Sequence, residues 1–192
     1  MNIRITLLAA SCALALAACG DKSSDTADTA TPAPAPTAMP APVATPTPTP
    51  APAATGSDKP AAVVADCATS IEGSDAMQFN VGSITVPASC SEFTITLKHT
   101  GQMPVAAMGH NVVITTTADM QAVAAEGMGA GMDAAYVKPD DARVIAHSGM
   151  IGGGETTSVT FPVSKIKDGG PYQFFCSFPG HSGIMKGSIA VE

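Results

Sequence analysis

Cys176, His181 and Met185 place a thiol, an imidazole and a thioether within ten residues of one another. Pro179-Gly180 marks a turn between the first two, so the imidazole is brought back towards the thiol. These are soft donors, and soft donors favour copper among the available metals. A third strong donor is required, and His110 in Met108-Gly109-His110-Asn111 is the candidate. The backbone carbonyl of Gly109 could add a second weak axial contact. Zinc also takes one Cys and two His, usually with a strong fourth ligand, and a Met in fourth place speaks for copper.

The other two histidines read differently. His99 shares the parity of Phe93, Ile95 and Leu97 and so points inward, as a packed or hydrogen-bonded histidine near the site. His147 reads as a surface residue. Gly127-x-Gly129-x-Gly131 lacks dinucleotide-binding spacing and reads as a flexible loop. Asp140-Asp141, after Pro139, reads as a solvated turn.

The elements that must hold these donors follow a period of two. Met77, Phe79 and Val81 alternate with polar residues, as do Phe93, Ile95 and Leu97, then Val159, Phe161 and Val163, then Ile189 and Val191. Val112-Val113-Ile114 and Tyr172-Gln173-Phe174-Phe175 read as more deeply buried strands. Gly101, Gly152-Gly153-Gly154 and Gly169-Gly170-Pro171 punctuate them. Many short strands with turn signals predict an all-β antiparallel sandwich or barrel. One helical insertion interrupts it, with Asp119 as N-cap, a run to Glu126 and a stop at Gly127.

This pattern covers only the C-terminal two-thirds. Residues 1–18 read as a secretory signal, with Arg4 followed by an apolar run too short to span a bilayer. Leu16-Ala17-Ala18-Cys19 resembles the bacterial lipobox, which implies acylation of Cys19; an ordinary cleaved signal with an incidental cysteine is the alternative. Several acyl chains give stable anchoring, at about 0.8 kcal/mol per buried methylene. Residues 19–65 read as a disordered Ala/Thr/Pro-rich tether. Ten of the 16 prolines fall between Pro32 and Pro60, and alternate prolines block helix and sheet. A polyproline-II arm of this kind rises about 3.1 Å per residue. Residues 66–192 form the folded domain.

That domain has six Lys or Arg against twelve Asp or Glu, and the whole chain has a net charge of −7. An acidic surface speaks against nucleic-acid binding and against electrostatic adhesion to anionic lipid. Of five cysteines, Cys12 leaves with the signal and Cys19 takes the lipid, which leaves Cys67, Cys90 and Cys176. In an exported protein two of three pair. A Cys67–Cys90 bridge would close a 24-residue loop, worth about 3 kcal/mol on the chain-entropy estimate. Two free thiols or a metal pair are the alternatives, although no His lies near either cysteine.

Over essentially its whole length the domain resembles the azurins, single-domain bacterial blue-copper proteins. The resemblance rests on Cys67, Met77-Gln78-Phe79-Asn80, Ile84-Thr85-Val86, Cys90, Met108-Gly109-His110-Asn111 and Ala118-Asp119-Met120-Gln121. Tyr136-Val137-Lys138-Pro139-Asp140-Asp141, Arg143-Val144-Ile145-Ala146-His147 and Phe174 to Gly187 complete it. The Cys-x4-His-x3-Met spacing is azurin-like; plastocyanins use a shorter Cys-to-His loop. Val112 departs from the family, which often carries an aromatic residue there. The resemblance implies a Greek-key cupredoxin sandwich, a Cys67–Cys90 bridge, and one copper held by Gly109, His110, Cys176, His181 and Met185. It further implies that the Asn111 and Phe178 amides donate to the Cys176 sulfur. It places an apolar docking patch, including Met77, Met103, Met108, Met128 and Ile184, around the edge of His181.

The function this implies is outer-sphere transfer of single electrons, with no substrate bond changed and therefore no enzyme activity. Partners would be redox proteins such as c-type cytochromes or copper reductases. The protein would be monomeric and lipid-anchored in a bacterial cell envelope, at the outer membrane facing the periplasm or cell surface. A copper-buffering or surface-interaction lipoprotein is the alternative. A copper oxidase or nitrite reductase is disfavoured, because the domain carries a single copper constellation.

Overall fold

The computed structural model describes residues 58–192. The expected signal segment, Cys19 and most of the proline-rich tether lie outside the described residues. In chain order the strands are β1 (Val64–Ala65), β2 (Ala68–Ser74), β3 (Gln78–Phe79), β4 (Ser83–Val86) and β5 (Glu92–His99). Helix α1 (Val105–Met108) precedes β6 (Val113–Thr116), and α2 (Met120–Gly127) follows it. Then come β7 (Ala146–His147), β8 (Thr156–Pro162), β9 (Tyr172–Phe175) and β10 (Lys186–Val191).

The strands form two five-stranded sheets packed as a Greek-key cupredoxin sandwich. One runs β1-β2-β5-β8, with β3 on the end of β2; the other runs β4-β10-β9-β6-β7. Inward parity is as the alternation predicts: Phe93, Ile95 and Leu97 are fully buried, and Phe161 lies opposite Phe93 with ring centroids 6.0 Å apart. Across the sandwich Phe79 meets Phe174 at 5.4 Å. The doubly buried runs also have a cause. Val112, Ile114 and Phe174 face the sandwich core, whereas Val113 and Phe175 face outward under α2, packed with Met120, Val123 and Val137.

Several local expectations need correction. The sheets are mixed, not antiparallel: β2 runs parallel to β5, and β4 parallel to β10. Alternation specifies which face a side chain takes, not which way the neighbouring strand runs, and Greek-key crossovers set the latter. The Met77-to-Val81 strand shrinks to β3, because Met77 is a turn residue at φ 56° whose N–H bonds Ser74 O. Asp119 flanks α2 but makes no side-chain cap; its carboxylate accepts from Thr116 Oγ1 at 2.6 Å instead. The glycine-spaced stretch after α2 folds into two 3-10 turns, Met128–Ala130 and Met132–Ala134. Paired backbone also begins ahead of Asp66: Ala61 bridges Ser83, and β1 pairs β2. The Cys67–Cys90 disulfide is present, with Cα atoms 5.8 Å apart.

Candidate metal centre

Cys176, His181 and Met185 occupy the connection between β9 and β10. These strands pair Lys186 with Phe175, so the next residues, Met185 and Cys176, face each other across the mouth of the loop. Cys176 N–H donates to Met185 O at 3.0 Å and closes that mouth. Inside it, His181 N–H donates to Phe178 O, and Met185 N–H to His181 O at 2.8 Å. The Cys-x4-His-x3-Met spacing is therefore the length of one hydrogen-bonded loop.

His110 arrives from a different part of the chain. Helix α1 is a single turn that stops at Gly109, and His110 then bridges Ile151 through reciprocal backbone bonds of 2.9 Å. A side chain at 109 would meet Val105 O at 2.7 Å and the Phe178 ring at 2.8 Å, so only glycine lets this backbone approach the loop. Gly73 plays the same part on the opposite side, where a Cβ would lie 2.8 Å from both His110 Cδ2 and Met185 Cε.

These elements bring the ligating atoms of His110, Cys176 and His181 within 4.8 Å of one another. Cys176 Sγ is 3.6 Å from His181 Nδ1 and 3.7 Å from Gly109 O. His110, Cys176 and Met185 are wholly buried, and His181 nearly so. His110 Nε2 donates to Ser74 O at 2.9 Å, which leaves Nδ1 with its lone pair facing the cluster. That Nδ1 lies 2.8 Å from Gly109 O, so with Nε2 engaged by Ser74 O these two atoms stand together on the side of the cluster where a cation would bind. His99 packs behind the His110 ring. It stacks on His110 with centroids 4.2 Å apart, donates from Nε2 to Met108 O and accepts from Gly101 N–H at Nδ1.

Burial sets the electrostatics. It pushes the Cys176 thiol up to about 11, an effect that the Asn111 and Phe178 N–H groups, aimed at the sulfur, partly offset. It holds His181 down to about 4, with the His110 and His99 imidazoles adding to the effect, and lowers His110 as well. The cavity thus disfavours every charged form in isolation, and a bound cation is what makes the thiolate affordable there. Neutral imidazoles, a sulfur that must ionise and a buried thioether together fit copper.

Some contributing residues carried no sequence signal. Ala135 O accepts from Asn111 Nδ2 (3.0 Å) and Ser177 Oγ (2.7 Å), while Ser177 N–H donates to Asn111 Oδ1 at 2.9 Å. This ring of bonds ties the His110 segment, the Cys176 loop and the turn after α2. Ala135 and Tyr136 both sit at positive φ, near 50°, which aims that carbonyl inward. Left-handed alanine and tyrosine are unreadable from composition. Asp141 is also more than a solvated turn: its carboxylate and that of Glu126 each take two hydrogen bonds from Arg143.

Apolar side chains stand within and beside this loop. Phe178 lies against His181 at 4.6 Å. Met103, Met128 and Ile184 are exposed, whereas Met77 and Met108 are half-buried. Met128 borders a hollow of about 170 Å³ shared with Phe178, Pro179 and Gly180. Asp75 accepts the Gln102 and Met103 N–H groups, so one carboxylate stands beside Met103. His147 is exposed on β7 and takes no part.

Residues 65–192 match the copper binding proteins of the plastocyanin/azurin family. The chain is 63% identical over 123 residues to an azurin of Alcaligenes faecalis, a match spanning 64% of this chain and 96% of that one. It is 54% identical over 130 residues to an azurin of Pseudomonas aeruginosa, spanning 68% of this chain and 88% of that one. The solved structure of an azurin from Methylomonas sp. strain J superposes with a TM-score of 0.64 at 48% identity, covering 67% of this chain and 99% of that one.

Proposed function

Because this chain belongs to the plastocyanin/azurin family of copper-binding proteins, we propose that it carries single electrons between redox partners of a bacterial envelope. We propose further that it does so from a lipid anchor at Cys19. The observation that carries the reading is the convergence of His110, Cys176 and His181 in the buried interior of one end of the sandwich.

Copper bound there supplies a one-electron couple between its two common oxidation states. The chain's own residues do the rest. Cys176, His110 and His181 would be the metal's strong ligands, with the Met185 thioether and Gly109 O as weaker contacts. The loop bonds from Cys176 to Met185 and from Met185 to His181, together with the Asn111–Ser177–Ala135 ring, hold these groups in one arrangement. Little reorganisation then accompanies a change of charge. The Asn111 and Phe178 N–H groups aimed at the sulfur draw off thiolate charge and tune the couple. Phe178, Met108 and their neighbours keep water from the centre.

Docking follows from the rim. Met103 to His110 and Cys176 to Met185 contain no ionisable side chain other than the proposed ligands, so long-range steering is weak. Contact instead depends on desolvating a small apolar area, at about 25 cal/mol per Å². The reading names a c-type cytochrome or a copper reductase as partner, and a monomer as the working form. Reduced Met108→Glu protein should pass electrons to an oxidised cytochrome at least about tenfold more slowly in stopped-flow, with its blue absorption intact; a tenfold loss corresponds to roughly 1.4 kcal/mol. Wild-type exchange by that variant would remove the rim as the electron port.

The anchor has its own test. Palmitate labelling of the expressed full chain should mark Cys19 and disappear in Cys19→Ala, which should also leave the membrane fraction. Equal membrane retention of both proteins would refute lipidation.

A further inference from the structure

The described residues expose five large apolar side chains, and three of them are methionines: Met103 at 40%, Met128 at 54% and Met132 at 39%. Two of the three belong to segments that serve the metal centre. Met103 leads into α1, which delivers Gly109 and His110. Met128 lines the hollow beside Phe178 and Gly180. Other methionines have the opposite environment, Met185 at 0% and Met120 at 3% exposure. Accessibility governs which thioethers a dissolved oxidant reaches, so the fold sorts its methionines into reactive and shielded sets.

We propose that Met103 and Met128 are reversible oxidation sites, at which a peroxide-class oxidant closes the docking rim while the metal centre stays intact. This rests on the docking reading above. In the chemical step a thioether sulfur attacks one peroxide oxygen. The S–O bond forms, the O–O bond breaks, sulfur gives up two electrons, and the second oxygen leaves as water after taking the remaining proton. Two thiols reverse it through a methionine sulfoxide reductase, yielding the thioether, a disulfide and water. The product is polar and a strong hydrogen-bond acceptor. On a rim that works by shedding water from apolar area, it must be desolvated unpaired or must hold water in the interface. Met185 is protected by the same loop that makes it a ligand, so the rim responds at oxidant doses that spare the centre.

The test treats copper-loaded, oxidised full-length protein with graded hydrogen peroxide and stops each reaction with catalase. Sulfoxides are located by peptide mass spectrometry. Exchange with an oxidised cytochrome is measured after reduction of the copper. Sulfoxide should appear on Met103, Met128 and Met132 well before Met185. Exchange should slow about tenfold with the blue absorption unchanged, and sulfoxide reductase should restore it. Each variant is compared with itself before and after oxidant. The Met103→Leu/Met128→Leu double variant should lose the slowing, and Met132→Leu should keep it. Oxidation of Met185 ahead of the rim overturns the proposal. So does rim sulfoxide that leaves exchange unchanged while Met108→Glu slows it, in which case the docking reading stands. If neither oxidation nor Met108→Glu slows exchange, the docking reading falls and takes this proposal with it.

Discussion

At the residue scale the centre depends as much on carbonyls and missing side chains as on ligands. Gly73 and Gly109 are required because His110, Met185 and Phe178 occupy the space a Cβ would need. The Ala135 carbonyl is the least conspicuous member, and it is shared between Asn111 and Ser177. Ser177→Ala removes the hydroxyl that both donates to Ala135 O and accepts from Asn111 Nδ2. Asn111 Nδ2 keeps Ala135 O, so the loss is partial. The variant should unfold with about 1–2 kcal/mol less stability in denaturant melts. Its blue absorption should persist, because no ligand is removed, while its reduction potential should move as the Asn111 N–H relaxes relative to the sulfur. An unchanged melt and an unchanged potential would show that this ring does no positioning.

At the element scale, strand β2 is the spacer between two different jobs. Cys67 precedes its first residue and Ser74, its last, accepts from His110 Nε2. Seven residues of strand separate the staple from the metal centre, about 23 Å at the usual rise. The disulfide therefore acts on the unfolded chain rather than on the ligands. Replacing Cys67 and Cys90 together with Ala should cost about 3 kcal/mol on the loop-closure estimate, with the visible spectrum retained. Loss of the blue band in the folded double variant would mean that β2 transmits strain from one end to the other. The second sheet has its own arrangement: α2 covers the outward Val113 and Phe175, and Arg143 ties that helix, through Glu126, to the turn holding Asp141.

At the scale of the whole molecule, this tie produces a specific acid response. Arg143 holds the Asp141 carboxyl down to about 2, against 3.8 for a free side chain. A lowered carboxyl contributes stability that is complete above the free value and is lost as pH falls through the folded one. Melting temperature should thus drop between pH 4 and 2 partly through this group. Asp141→Asn should be less stable than wild type at pH 6, and the gap should close as pH approaches 2. A constant gap across that range would assign the difference to packing rather than charge. The segments Met103 to His110 and Cys176 to Met185 carry no Asp, Glu, Lys or Arg, and among the described residues Asp75 is the one carboxylate bonded to them, so raising ionic strength should alter the wild-type electron-exchange rate only modestly.

The sequence by itself determined which side chains face inward and which loop holds three of the donors. Both are local: alternation is fixed by the pleat, and Cys176, His181 and Met185 fit within one strand connection. His110 was legible because its donor type was scarce, and Cys176 because two other cysteines had a partner in each other. Only the tertiary structure decided the direction of β2 against β5 and of β4 against β10, since a period of two is blind to strand direction. It also decided the turn at Met77, the left-handed Ala135 and Tyr136, and the doubled role of Asp141. These depend on partners far along the chain, such as Ser177 for Asn111 at a separation of 66 residues. Contacts of that kind are set by how the sheets close on each other, and no local pattern of residue types encodes that closure.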